Sequence, residues 1–290
     1  MRSAAPARRR PAAGRRGIRT ALPRGVVATL AAALVCLAGC LDTPQAPVLD
    51  NPLAEPPQTE LLQAPAEGQT VTAAEVLFRW QGNHRLVREW SYCLDGADWS
   101  AWAAVHEVEL VLDEGKHRFE VKGRVPDEPG YAGQEEVVPL AREFVVDAIH
   151  GPALWLSPRQ VRTTVGQEVV LAVMAEEVAG AMLAHLQITF DKARLAWQDA
   201  GEGALLAQNG AQVIVLSEAA QAQGEGVVDL AAVGGQPAGV TGSGPLAVLR
   251  FRALAPGTAQ VAVAEGAELR DAANRGLLLR ERVGCEVVVE

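Results

Sequence analysis

Runs in which apolar and polar residues alternate one by one recur along the chain beyond residue 60. The most regular run spans residues 182–190, where every second side chain is apolar: Met182, Ala184, Leu186, Ile188 and Phe190. Alternation of period two is typical of a β-strand with one face in the core and the other free. We therefore expect a strand here whose outer face carries Leu183, His185, Gln187 and Thr189.

Similar alternating runs recur through two stretches of the chain. Within each stretch, turns rich in glycine, proline and aspartate separate one run from the next. Residues 61–148 contain five such runs, and residues 152–290 contain nine or ten, with Gly151-Pro152 between the two stretches. Many short strands with turn residues between them favour sandwiches over helix bundles. The sequence predicts an all-β protein with two β-sandwich domains, at 61–148 and 152–290.

The N-terminus has the organisation of a bacterial export signal. Residues 1–24 are rich in arginine, and residues 25–38 form an uncharged apolar run that is shorter than the roughly 20 residues needed to span a bilayer. Leu37-Ala38-Gly39-Cys40 resembles the bacterial lipobox. This resemblance implies a signal peptide at 1–39 and a lipid on Cys40. An ordinary secretory signal and an uncleaved anchor are the alternatives.

Residues 40–60 contain five prolines among small and polar residues. Such a composition buries too little apolar area to fold, so it predicts a disordered tether. Together with a lipid on Cys40, the tether predicts a protein held in the cell envelope and exposed outside the cytoplasm, at the outer membrane or cell surface. The lipid would be its only link to the membrane.

The charge distribution argues against nucleic acid as a partner. The first 39 residues hold eight arginines and no acidic residue; without them, 18 of the 26 basic residues remain against 35 acidic ones, a formal charge of −17. Nucleic-acid phosphates require a basic surface, which this composition does not offer.

No catalytic motif is present. The sequence lacks the H-E-x-x-H, G-x-S-x-G and P-loop patterns, and its five histidines do not stand at metal-ligand spacing. The segments beginning at Asp95 and Asp271 lack the spaced ligands of a calcium loop and predict simple turns. The sequence predicts no catalytic residue, no metal and no cofactor, and therefore a protein that is not an enzyme.

The second stretch resembles a cohesin module over about residues 153–290. Four blocks carry the resemblance, and they occur in the order usual for that family. They are residues 165–173, the pair Phe190-Asp191 with Leu195 after it, residues 239–251 and residues 255–263. Lys192 stands where the family often has proline. The resemblance implies a jelly-roll sandwich, a hairpin turn at Gly242–Gly244, and an outer face that binds a dockerin-type protein module. The residues of that face would be Leu183, His185, Gln187 and Thr189.

The first stretch resembles fibronectin type III and related immunoglobulin-like domains in the segments 112–121 and 90–99. This resemblance implies a fold and no activity. By parity we expect Trp80 and Trp90 in the core, which leaves Trp99 and Trp102 as surface candidates for stacking on sugar rings. Cys93 and Cys285 lie in separate domains, so two isolated thiols are expected rather than a disulfide.

These observations leave three functional hypotheses. The first is a surface lipoprotein whose cohesin-like module captures a dockerin-type partner, in the setting of polysaccharide binding or degradation. The second is a carbohydrate-binding surface protein, and the third is a structural envelope lipoprotein without a dedicated ligand.

Overall fold

The computed structural model describes residues 55–129, 132–208, 210–235 and 238–290. Every regular element in these ranges is a β-strand. The strands form sheets that pack face to face around buried apolar clusters, so the predicted all-β sandwich architecture is confirmed. The signal peptide, the lipid on Cys40 and most of the tether lie outside the described residues and stay predictions. No helix in the described part of the chain is long and apolar enough to cross a membrane.

Within the described residues, eight strands, β1 to β8, form the N-terminal sandwich. In chain order they are Thr59–Gln63, Thr70–Val71, Glu75–Gly82, Glu89–Leu94, Glu107–Val111, Gly115–Val125, Gln134–Glu135 and Leu140–Val146. One sheet has the order β1-β3-β5, and the other has the order β2-β8-β6-β4 with β7 paired to β6. The strands predicted in this stretch are therefore present.

Aromatic side chains fill the space between these two sheets. The rings of Phe78 and Phe119 stack with their centroids 3.8 Å apart, and Phe144 lies 5.8 Å from Phe78. Trp80 and Trp90 are each 1% exposed, as their parity predicts. Large aromatic rings contribute most of the apolar area of a small core, so this cluster is the main source of stability in the N-terminal sandwich.

A buried carboxylate fixes the point where the chain enters this sandwich. Glu136 accepts hydrogen bonds from the backbone nitrogen and the hydroxyl of Thr59 at 3.0 and 2.6 Å, and from the nitrogen of Gly123 at 2.8 Å. Strand β1 consequently begins at Thr59, and the predicted tether at 40–60 overlaps the folded part by two residues.

In the part of the C-terminal sandwich that the structure describes there are thirteen strands, β9 to β21. In chain order they are Ala153–Ser157, Gln160–Thr163, Glu168–Ala181, Leu183–Phe190, Leu195–Glu202, Gln212–Ala220, Glu225–Val233, Val240–Ala253, Gly257–Val263, Glu268–Arg270, Gly276–Leu277, Glu281–Val283 and Cys285–Val289. One sheet has the order β10-β21-β17-β12-β15-β14, with β18 paired to β12 and β19 to β18. The other has the order β13-β16-β11-β9-β20.

The alternation predicted for residues 182–190 sets the position of β12 in its sheet. Ala184, Leu186, Ile188 and Phe190 are buried in the core between the two sheets, while the intervening side chains face outward. Asp191 then closes a short turn, because its carbonyl accepts from Leu195 at 2.8 Å and its carboxylate from Ala193 at 2.9 Å. Strand β13 starts at Leu195, so this block folds as expected.

The prediction of a hairpin turn at Gly242–Gly244 is wrong. These residues belong to β16 and pair irregularly with β11, with Gly242 opposite Val178 and Gly244 opposite Ala175. The hydroxyl of Ser243 accepts from the backbone nitrogen of Glu177 at 3.0 Å, which ties the glycine-rich segment to β11. Glycine here relieves a local irregularity inside a strand, where the sequence pattern alone indicated a turn.

Asp113 connects the two sandwiches. Its carboxylate accepts from the hydroxyl of Ser157 at 2.6 Å and from the backbone nitrogen of Arg159 at 2.8 Å. Nearby, Ile149 and Trp155 bury their side chains in a small apolar cluster. Both sandwiches lie within one compact unit.

Candidate protein-binding face

The predicted outer residues of β12 lie where the sequence places them. Leu183, His185 and Gln187 are half-buried and Thr189 is exposed, all on the sheet face opposite the core. Because β12 is paired on both edges, with β15 on one side and β17 and β18 on the other, these side chains stand in the middle of a continuous surface. A central strand supplies a rigid platform for contact.

His185 is held in place by its neighbours across the sheet. Its Nδ1 lies 2.6 Å from Oδ1 of Asp229, the residue directly opposite on β15. Its Nε2 lies 3.2 Å from Nε2 of Gln187. Both ring nitrogens therefore lie within hydrogen-bonding distance of a neighbouring side chain. The ring therefore has one fixed orientation on the outer face.

Strand β14, at the edge of the sheet, adds large apolar side chains to this face. Ile214 is 53% exposed and Leu216 is 65% exposed. With Leu183, they border a depression of about 410 Å³, whose rim carries His185 and Asp229. Glu268 and Arg270 of β18 complete the rim and pair with each other at 2.7 Å. We call this depression and its lining the outer depression.

The outer depression contains only part of the predicted set. Leu183 and His185 line it, whereas Gln187 reaches it only through His185, and Thr189 lies further along the strand, opposite Glu225 and Ala262. Ile214, Leu216, Asp229, Glu268 and Arg270 were not predicted from the sequence. The continuous apolar run 213–216 was the one available signal, because a strand with apolar residues on both faces indicates a second contact surface.

Aliphatic and charged side chains both line the outer depression. Aliphatic side chains form its floor and charged groups form its rim, an arrangement that is common in protein–protein interfaces. Elsewhere in the described ranges, no group of His, Cys, Asp and Glu side chains is arranged to hold a metal ion.

The two acidic segments fold as the turns that the sequence predicts. Asp95 and Gly96 both have positive φ angles, 53° and 73°, and the nitrogen of Ala97 donates to the carbonyl of Leu94 at 3.0 Å. The Asp95 carboxylate accepts from the backbone nitrogen of Arg118 at 2.7 Å. Its oxygens are used within the fold.

The second turn is closed by Asp271. Its carboxylate accepts from the backbone nitrogens of Ala273 and Arg275, each at 2.9 Å, and pairs with the Arg275 guanidinium. These hydrogen bonds, those to Arg275 first, hold the pKa of Asp271 below its ordinary value.

Trp99 and Trp102 lie together on the surface of the N-terminal sandwich. Trp99 is 38% exposed and Trp102 is half-buried. The ammonium of Lys122 stands 4.9 Å from the Trp99 ring centroid and 5.2 Å from that of Trp102, and the guanidinium carbon of Arg124 lies 4.4 Å from the Trp102 ring. Cations thus already occupy positions over these rings, which leaves less free ring face than the sugar-stacking hypothesis expects.

The two described cysteines are free and buried, so the prediction of isolated thiols is confirmed for Cys93 and Cys285. Burial, followed by the charges of Asp113 and Glu286, raises the pKa of Cys285 to about 12. Burial and then the Glu120 carboxylate raise the pKa of Cys93. Neither thiol is set up as a nucleophile, because the reactive form is the thiolate.

No protein-family model matches the sequence, and no curated protein matches it. Among solved structures, a non-cellulosomal cohesin from the archaeon Archaeoglobus fulgidus is similar at 14% identity and a TM-score of 0.38, over 48% of this chain and 90% of that one. The sixth cohesin of scaffoldin B from Acetivibrio cellulolyticus, solved in complex with a Cel5 dockerin, has 18% identity and a TM-score of 0.40, over 49% and 100%. A type II cohesin domain from the cellulosome of the same organism has 14% identity and a TM-score of 0.39, over 47% and 94%. Values this low assign neither a family nor a partner.

Proposed function

We propose that this protein captures a partner protein of the dockerin type through the outer depression of its C-terminal sandwich. The single observation that carries the proposal is the cluster of aliphatic side chains formed by the exposed Ile214 and Leu216 and the half-buried Leu183, which lies beside the His185–Asp229 pair. Large aliphatic groups left in water on a sheet face are costly unless they contact something. The cohesin resemblance of the sequence implies a partner on the same face, which supports the proposal.

The surface chemistry also indicates what the partner must present. An apolar floor with both acidic and basic rim groups is complementary to an amphipathic helical surface that carries a few aliphatic anchors. Residues central to the depression should dominate the binding free energy, because interface energy concentrates in a few desolvated anchors. Thr189 should contribute little, since it lies away from the depression.

We further propose that the protein displays this module at the cell envelope through a lipid on Cys40. The lipobox at residues 37–40 and the proline-rich residues that follow support this proposal. Partners released into the medium would then be retained at the cell surface, in a setting of polysaccharide binding or degradation. Mass spectrometry of the processed N-terminus tests the anchor: a diacylated Cys40 supports it, and an unmodified thiol there overturns it.

The capture proposal is tested by pull-down from culture medium with the whole protein as bait. We expect retention of a secreted protein that contains a dockerin-type module. Leu183→Asp should abolish retention, because it puts a charge at the floor of the depression. Val170→Asp is the matched control, since Val170 is 42% exposed on the outer face of the opposite sheet. Retention that survives Leu183→Asp would place the contact elsewhere.

Sugar binding through Trp99 and Trp102 is a second candidate. The observation that favours it is their position side by side on one surface around Lys122. Affinity electrophoresis on soluble polysaccharides tests it, with retardation expected to be lost on Trp99→Ala or Trp102→Ala. If the wild type migrates equally with and without polysaccharide, it does not bind the polysaccharides used.

A further inference from the structure

A second concave site lies on the N-terminal sandwich, in a different sandwich from the outer depression, and neither Trp99 nor Trp102 is among its lining residues. It is a cavity of about 500 Å³ between the segment that follows β3 and the segment that precedes β5. Its volume falls in the range of about 300–1,000 Å³ that is typical of small-ligand sites. His84, Arg85 and Arg88 come from the first segment and His106 from the second.

The charge of this cavity is opposite to that of the chain around it. Its lining contains two arginines and two histidines and no aspartate or glutamate. Arg88 pairs with Glu128, whereas Arg85 is exposed and has no ion pair within the described ranges. In a chain with 35 acidic residues, a cavity lined only by cationic and neutral groups is a local exception that favours an anion.

His84 adds an unused hydrogen-bonding group. Both of its ring nitrogens are shielded from water and have no hydrogen-bond partner within the described residues. Shielded polar atoms without a partner lower stability, and nearly all such atoms in folded proteins find one. His84 lines the cavity, and no hydrogen bond within the described residues holds its ring. A ligand oxygen there would supply the missing partner.

The remaining wall is rigid and shaped by aromatic contact. The imidazole of His106 packs on the buried indole of Trp90, with ring centroids 4.5 Å apart. This contact holds the His106 ring in the cavity lining, which also contains the two arginines. The lining therefore offers several groups that can donate hydrogen bonds to the oxygens of an anion.

We propose that this cavity binds a sulfate or phosphate group, with Arg85 as its principal charge and His84 and His106 as hydrogen-bond donors. The cavity is larger than a bare ion needs, so the natural ligand is an anionic group attached to a larger molecule, such as a sulfated or phosphorylated sugar. Binding of this kind is independent of partner capture by the other sandwich.

The test is calorimetric titration of the full chain in detergent with inorganic sulfate, inorganic phosphate, a sulfated oligosaccharide and its unsulfated counterpart. We expect binding of at least one anionic probe and none of the unsulfated one, weakened by added sodium chloride. Tighter binding of the oligosaccharide than of inorganic sulfate would identify a glycan as the source of the anion, and equal affinities would identify the free ion.

Two variants locate the site. Arg85→Gln should weaken anion binding at least tenfold, and His84→Phe, which keeps a flat ring but removes both nitrogens, should weaken it severalfold. Arg79→Gln is the control, because Arg79 is an exposed arginine outside the cavity that pairs with Glu107 at 2.6 Å. No binding of any anionic probe, or an equal loss with Arg79→Gln and Arg85→Gln, would overturn the proposal.

Discussion

Glu136 is the residue whose removal tests the energetics of the N-terminal sandwich most sharply. The residue is 8% exposed, and its carboxylate accepts three hydrogen bonds, two from Thr59 and one from Gly123. Glu136→Ala removes the acceptor and leaves all three donors in place. The Thr59 hydroxyl can turn to another acceptor, but the two backbone N–H groups are fixed by β1 and β6.

The expected loss follows from those two groups. Each buried donor left without a partner lowers the free energy of unfolding by about 1–3 kcal/mol. Part of this loss is offset because the variant no longer has to bury a carboxylate. We therefore expect Glu136→Ala to lower the free energy of unfolding by about 2–4 kcal/mol. The neighbouring Glu135→Ala is the matched control. Its side chain is 54% exposed and lies 3.6 Å from Lys122 and 3.9 Å from Arg124, so its loss should cost about 1 kcal/mol or less.

The assay is urea denaturation followed by tryptophan fluorescence, with Trp80 and Trp90 as buried reporters in the same sandwich. A double-mutant cycle with Thr59→Val should show a coupling of about 0.5–3 kcal/mol, since both side chains share one hydrogen bond. If Glu136→Ala is no more destabilising than Glu135→Ala, the buried carboxylate does not hold β1 to β6 and the reasoning fails.

Three further predictions follow from individual side chains. Burial, with a smaller contribution from neighbouring carboxylates, raises the pKa of Glu114 above its value in the unfolded chain. The ionised Glu114 therefore destabilises the folded protein. This destabilisation is absent below the ordinary pKa of about 4.3 and grows as the pH rises from there towards the raised pKa. Glu114→Gln should gain stability relative to the wild type between pH 4 and pH 7 in urea titrations, and an unchanged difference would contradict this. Because Cys285 has a pKa raised to about 12 and the pKa of Cys93 is raised as well, both thiols should react with a thiol reagent at pH 8 much more slowly in the folded protein than in urea. Gly226→Val should displace the Trp197 ring that packs against Gly226 and lower stability by about 1–3 kcal/mol, seen by denaturation and near-ultraviolet circular dichroism.

The strands could be predicted because their periodicity is local. The alternation in residues 182–190 sets which side chains of β12 are buried, and the structure agrees residue by residue from Ala184 to Phe190. The same holds for Trp80 and Trp90. Turn chemistry is local too: the Asp191 carboxylate accepts from the backbone nitrogen of Ala193, and the turn at Asp95 is closed by the backbone hydrogen bond from Ala97 to Leu94.

The rest of the candidate site could not be predicted because it depends on pairing between distant strands. Ile214 and Leu216 join Leu183 only because β15 bridges β14 and β12. Arg270 lies in a three-residue strand too short to show a period. Gly242 was expected in a turn, since glycine indicates turns and strand irregularities alike. The strand pairing of the fold, rather than any motif, assembles the outer depression.

The most direct test of the central claim is a calorimetric titration of the purified captured partner into the wild type, Leu216→Asp and Val170→Asp. We predict that Leu216→Asp weakens binding at least 30-fold, about 2 kcal/mol, as expected for an interface anchor, while Val170→Asp binds like the wild type. Equal dissociation constants for the wild type and Leu216→Asp would contradict the assignment of the outer depression as the partner-binding face.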